Sequence, residues 1–212
     1  MRVLDHAWID QNLKTLDAIS SRTNWRLFRP TQEVYTRLES GEEVDLQNVT
    51  DMIGRHLHLM LTPKAQYEWG LKLPSHAAGM IRAPGTKLSS IDIPFSCVGK
   101  PLLIGAILAH ELSHQLLALN GIWHDDEEEN ERLTDLAAFV AGLGKLVLNG
   151  MCEEANGEAP TALVLGYLTP ELNIYSYRRV NSVRLVTMDE AQSELASDVA
   201  LKVRTSAATK FP

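Results

Sequence analysis

One long apolar stretch, Pro101 to Leu119, constrains this chain more than any other feature of its 212 residues, because two histidines and a glutamate stand in its middle. Leu102, Leu103, Ile104, Ile107, Leu108, Leu112, Leu116, Leu117 and Leu119 flank the sequence Ala109-His110-Glu111-Leu112-Ser113-His114-Gln115. A helix that is apolar on nearly every face is a helix buried in a core. Ionisable groups in such a helix need partners, since an unpaired buried charge is costly. At 3.6 residues per turn, His110 and His114 lie one turn apart on one face, so both imidazoles can reach a single ion with Glu111 beside them. That spacing predicts a catalytic zinc site, which takes a third protein ligand and leaves its fourth position to water.

The third ligand is expected downstream. Asn130-Glu131-Arg132-Leu133-Thr134-Asp135 places Glu131 17 residues beyond His114, room for a loop and the start of a second helix. Glu131 and Asp135 are four residues apart, so a helix presents Glu131 to the metal and Asp135 to the far nitrogen of a ligating histidine. With both stretches in view, the sequence resembles the gluzincin metallopeptidases, the class typified by thermolysin, whose pattern is His-Glu-x-x-His followed by Glu-x-x-x-Asp. The thermolysin form, Asn-Glu-x-x-Ser-Asp, differs here only by Thr134. The resemblance covers residues 101 to 145 and implies a minimal zincin-like domain. It implies zinc on His110, His114 and Glu131, Glu111 as general base toward a metal-activated water, and a peptide or protein as substrate. It also implies a Tyr or His from the C-terminal part that stabilises the developing oxyanion. Tyr167, Tyr175, Tyr177 and Arg178 qualify by position, with Tyr167 favoured.

Other patterns compete. The metzincin extension requires Gly at position 117 and His at 120, where this chain has Leu117 and Asn120. His124 is a rival third ligand, but it follows the helix stop at Gly121-Ile122-Trp123 and has no supporting carboxylate at helical spacing. The acidic run Asp125 to Glu129 reads as a solvated loop and a helix N-terminus, where carboxylates favour the dipole. The ImmA/IrrE group similarly combines a His-Glu-x-x-His helix with a downstream glutamate, which implies an alternative: a metal-binding regulatory or toxin-linked module with restricted proteolysis or none. Retention of Glu111 favours the enzyme, because a structural zinc site has no use for a general base.

A formal net charge of -7 and a pI near 5.5 speak against nucleic acid and anionic membrane surfaces as partners. The first residues carry Asp5, His6 and Asp10, so no signal-peptide core is expected. No uncharged apolar stretch reaches about 18 residues. Leu133 to Leu148 comes closest and is interrupted by Asp135 and Lys145. These features predict a cytoplasmic protein, with Cys97 and Cys152 as reduced structural thiols.

The fold class expected is α+β, a small mixed sheet packed on the buried His-Glu-x-x-His helix. One domain, 1–212, divides into an N-terminal helical part (1–55), a small sheet (56–98), the metal-binding helices (99–150) and a C-terminal helical part (151–212). Helices are expected over 3–20, from Thr31 to Leu38, and from Asp45 to Ile53. The alternation His56-Leu57-His58-Leu59-Met60-Leu61 predicts a strand with both histidines on one face. Further strands are expected over Tyr67–Leu73, Ala78–Ala83 and Ser90–Phe95, with turns at Pro74-Ser75 and Pro84-Gly85. Pro94 places the last of these at a sheet edge or strand end, and the zincin resemblance suggests a peptide-binding edge there. Leu136 to Leu148 reads as one helix closed by Asn149-Gly150, followed by a polar loop over 153–158. Ala162–Leu168 leads into a helix starting at Pro170 and running to about Arg179, and a last helix covers Asp189–Val203.

Overall fold

The computed structural model describes residues 3–20, 26–73, 78–155 and 166–205. The class is α+β. Helices α1 (Val3–Ser20), α2 (Gln32–Glu39) and α3 (Glu43–His56) precede three strands, β1 (Lys64–Glu68), β2 (Met80–Arg82) and β3 (Ser90–Pro94). A short 3-10 turn, Phe95–Cys97, leads into α4 (Pro101–Leu119), α5 (Glu127–Val140) and α6 (Gly144–Ala155). Then come α7 (Pro170–Val183), α8 (Met188–Gln192) and α9 (Ser197–Thr205). The expected turn at Pro74-Ser75 and residues 162 to 165 lie outside the described residues, as does the side chain of Cys152. Cys97 is buried.

The core forms around α4. Pro101 opens the helix, where its missing N–H costs nothing. Ile104, Leu108, Ala109 and Leu112 are fully buried, and α4 packs on α6, α5 and α2. By length and hydropathy α4 matches a membrane span, yet 72% of that window is covered by the rest of the protein, which makes it a core helix here.

The sheet is mixed, with order β1-β3-β2: β1 runs parallel to β3 and β2 antiparallel to it. Ile91 and Ile93 enter the core, while Asp92, on the opposite face by strand alternation, is fully buried against Arg82 and Gln66. The stretch Ser90–Pro94 is therefore the central strand, and of the two positions expected from Pro94, a sheet edge or a strand end, the structure shows the strand end. The proline is the last residue of β3, where a missing ladder donor is tolerated. Among the described residues the outer edge of the sheet on that side is β2.

Three expectations are corrected. Residues 56 to 61 do not form a strand. His56 is the last residue of α3, Leu57 is buried one turn after Ile53, and His58 takes a left-handed φ of 53°. The Leu59 N–H then donates to the Gly54 carbonyl (2.9 Å), so the apparent alternation is a helix cap. The two histidines share no face: His56 stacks edge-on to Phe28 and lies 3.2 Å from the Ala141 carbonyl, while His58 is exposed. The sheet thus spans 64–94, inside the 56–98 region expected. Second, 136–148 is two helices. Gly142, at φ 85°, breaks the chain between α5 and α6, and its carbonyl accepts from Phe28 N–H (2.9 Å). A Cβ at Gly142 would collide with the Arg26 carbonyl. α6 then continues past Asn149-Gly150 to Ala155, beyond the expected end of the metal-helix region at 150. Third, the last helix is split into α8 and α9 around Ser193–Ala196, and α7 extends four residues beyond Arg179, to Val183.

Candidate metal centre

α4 and α5 supply the cluster. Along α4, Ala106, His110 and His114 follow one another at one-turn spacing on a single face. α5 begins where Asp126 accepts the N–H of Glu129 (2.9 Å), and the acidic first turn Glu127–Glu129 suits the positive end of the helix. One turn further on, Glu131 and Asp135 face the α4 histidines.

Three ligand atoms converge. His110 Nε2 lies 3.0 Å from Glu131 Oε2, His114 Nε2 lies 3.3 Å from the same oxygen, and the two Nε2 atoms are 3.2 Å apart. An ion bonded to nitrogen and oxygen at about 2.0–2.1 Å in tetrahedral array sets its ligand atoms about 3.3 Å apart, so the donor set fits zinc without rearrangement. The other ring nitrogens are occupied. His110 Nδ1 lies 2.9 Å from Asp135 Oδ1, and a carboxylate only accepts, so this nitrogen carries the hydrogen. Thr134 Oγ1 donates to the Asn130 carbonyl (2.9 Å), which leaves it to accept from His114 Nδ1 at 3.1 Å. Both Nε2 atoms therefore point at the Glu131 carboxylate, where a proton on Nε2 satisfies the contact without an ion and a neutral ring would turn its lone pair to a cation.

The electrostatics agree with the geometry. Burial disfavours charge on His110, but Asp135 and Glu131 outweigh it and carry its pKa well above the usual value. Burial likewise opposes ionisation of Glu131, yet hydrogen bonds from His110 and His114 hold its carboxyl far below the ordinary carboxylate range. Without an ion the cluster holds its positive charge as a proton shared with Glu131, which a bound metal would have to displace.

Glu111, 5% exposed, lies on the cavity side of α4. Burial raises its pKa, opposed by the neighbouring histidines and by a hydrogen bond from the Ile81 N–H of β2. Gly79 packs beside it: a Cβ there would stand 3.2 Å from Glu111 Oε1 and would clash with Ile107. The cavity above these groups measures about 310 Å³ and is walled by buried Ala106, Ile107 and Ala138, by Tyr167, and by exposed Trp123. Burial, with Glu131 nearby, pushes the Tyr167 hydroxyl up to about 12, so it stays protonated.

Of the residues singled out in the sequence, His110, Glu111, His114, Glu131, Asp135 and Tyr167 all border this cavity. His124 does not join them: it is exposed in the α4–α5 loop, and its Nδ1 accepts from the Asp126 N–H (3.4 Å). Tyr175 stacks on His6 with ring centres 3.8 Å apart, and its hydroxyl bonds Asp10. Tyr177 is buried with its hydroxyl on the Ala191 carbonyl (2.6 Å). Neither these two nor Arg178 lines the cavity. Thr134 was noted in the sequence only as a departure from Ser, although its place three residues after Glu131 puts it on the same helical face. Gly79 and Ile81 gave no sequence signal, because a glycine and a backbone N–H have no distinguishing local pattern. Comparison with known proteins finds no matching family model, no matching curated protein and no matching solved structure.

Proposed function

We propose that this protein is a zinc-dependent peptidase with a gluzincin-like site in a zincin-like domain. The observation that carries the reading is the convergence of His110 Nε2, His114 Nε2 and Glu131 Oε2 within 3.0–3.3 Å, with the Glu111 carboxylate in the same cavity. A zinc ion on those three atoms would supply Lewis acidity and acidify a water toward neutral pH. Glu111 takes the proton from water in the cavity and returns it to the leaving amine, and its burial raises its pKa toward the pH at which such a shuttle works in both directions. Tyr167, protonated at working pH, donates its O–H toward the carbonyl oxygen as charge develops there. β2 borders the cavity at Met80 and Ile81 and is the strand an extended peptide in the cavity would lie beside, the role first expected of Ser90–Pro94.

The test is elemental analysis of purified protein followed by a quenched-fluorescence peptide library, with Glu111→Gln alongside. One zinc per chain, peptide turnover in the parent, and a loss of about 10²–10⁴-fold in Glu111→Gln with zinc retained is the expected result. Stoichiometric zinc with no cleavage of any peptide overturns the peptidase and favours a regulatory metal module.

A further inference from the structure

The Asp135 carboxylate is engaged on both of its oxygens. Oδ1 accepts from His110 Nδ1 at 2.9 Å, while Oδ2 accepts the backbone N–H groups of Tyr167 (2.5 Å) and Leu168 (3.0 Å). One buried side chain therefore ties a histidine of the cluster to the segment that carries Tyr167. That segment starts at Gly166, whose φ is 78°. A Cβ at Gly166 would stand 2.5 Å from Asp135 Oδ1, 2.6 Å from Oδ2 and 2.8 Å from Cγ. The carboxylate has nowhere to retreat, because His110 holds one side and the two N–H groups the other. The far end of the segment is also fixed: Asn173 Nδ2 donates to the Leu168 carbonyl (3.2 Å), and the Thr169 hydroxyl caps α7 at the Leu172 N–H (3.4 Å).

We propose that Gly166 is a positioning residue of the metal centre, because only a residue without a side chain lets the 166–168 backbone close on Asp135 and so fix His110 for the ion. The proposal rests on the metal-centre reading above. It makes closure of 166–168 and metal binding reciprocal. The factor by which the closed segment raises metal affinity equals the factor by which the metal favours the closed segment. Tyr167 is then delivered to the cavity wall by the same bonds that orient the ligand.

The experiment measures zinc affinity of the full chain by chelator competition for the parent, Gly166→Ala and Gly70→Ala. Gly70 shares the left-handed conformation (φ 66°) but has nothing within 4 Å of its would-be Cβ, so it controls for what a left-handed alanine elsewhere does to the fold. Gly166→Ala is expected to bind zinc about 10–100-fold more weakly, the range for losing a partner that orients a metal ligand, and Gly70→Ala to match the parent. In the unaltered chain, adding zinc should slow amide exchange at Tyr167 and Leu168 by about tenfold or more, a readout that stands even where Gly166→Ala does not fold. Parent-like affinity in a folded Gly166→Ala, or exchange at 167 and 168 indifferent to zinc in a chain that binds it, overturns the clasp and leaves the metal centre standing. A parent that binds no zinc overturns both.

Discussion

Two buried polar clusters sit in the same helical core, one built on α6 and one on α4 and α5, and only one of them is complete. Lys145, with no exposed surface, donates to the Glu190 carbonyl (2.8 Å), Ser193 Oγ (2.9 Å) and Glu194 Oε2 (2.7 Å), which uses all the hydrogens of its ammonium group. Asn149 beside it donates to Tyr35 and to the Glu194 carbonyl and accepts from Ala196 N–H, so α6 is fastened to the chain between α8 and α9. In the His110, His114 and Glu131 cluster the outer nitrogens are equally well partnered, by Asp135 and Thr134, but the two inner Nε2 atoms crowd one another and a single Glu131 oxygen within 3.0–3.3 Å, so that a proton or a cation has to stand between them. A set of buried groups that closes on itself is structure. A set that turns its nitrogens inward and supports them from outside is arranged for something that is not protein.

Substitutions at the two clusters should separate this difference, and the largest effect falls on the open one. Glu131→Ala should lose zinc by more than the roughly 100-fold that removal of an orienting partner costs, while His124→Ala keeps it; chelator titration of both decides the third ligand. Thr134→Val, which keeps the shape but removes the acceptor for His114 Nδ1, should weaken zinc by about 10–100-fold with little change in the melting temperature of the zinc-free protein. At the closed cluster the pattern inverts. Glu194→Ala leaves the Lys145 charge short of one partner and should cost about 1–2 kcal/mol in urea unfolding, moderated by the partial exposure of Glu194, with zinc affinity unchanged. A fall in zinc affinity there would show that the clusters are coupled through α6.

The smallest expected effect tests a third buried polar group. Burial lowers the His56 pKa, against the opposing pull of the Ala141 carbonyl. The neutral ring is the folded form, so its contribution to stability is whole above the unfolded value of about 6.5 and is lost as pH falls from there through the folded pKa. Zinc-free parent protein should therefore lose stability as pH falls below about 6.5 more steeply than His56→Gln, whose amide can keep a bond to Ala141. Parallel curves for the two would place His56 outside the pH response.

Legibility followed the range of the interaction. The buried helix from Pro101, the shared face of His110 and His114, and the shared face of Glu131 and Asp135 are consequences of a 3.6-residue period, so they could be read from spacing alone. The alternation over 56–61 misled because buried Leu57 and left-handed His58 form a helix cap that mimics strand periodicity. The break at Gly142 was invisible because it is made by the docking of Arg26 and Phe28, more than a hundred residues away in sequence. Pro94 left Ser90–Pro94 open between a sheet edge and a strand end, because a proline at the end of a central strand and one on an edge strand look alike until the neighbours are known.

The sequence by itself determined which side chains lie on one helical face and that a helix so apolar must be buried, since both follow from local geometry and from transfer out of water. The tertiary structure alone decided that Glu131 Oε2 stands 3.0 Å from His110 Nε2, that Ile81 N–H reaches Glu111, and that the 166–168 backbone closes on Asp135. Those distances are set by how α4, α5, β2 and the segment before α7 pack, and packing between elements distant in sequence follows from the shape of the whole core.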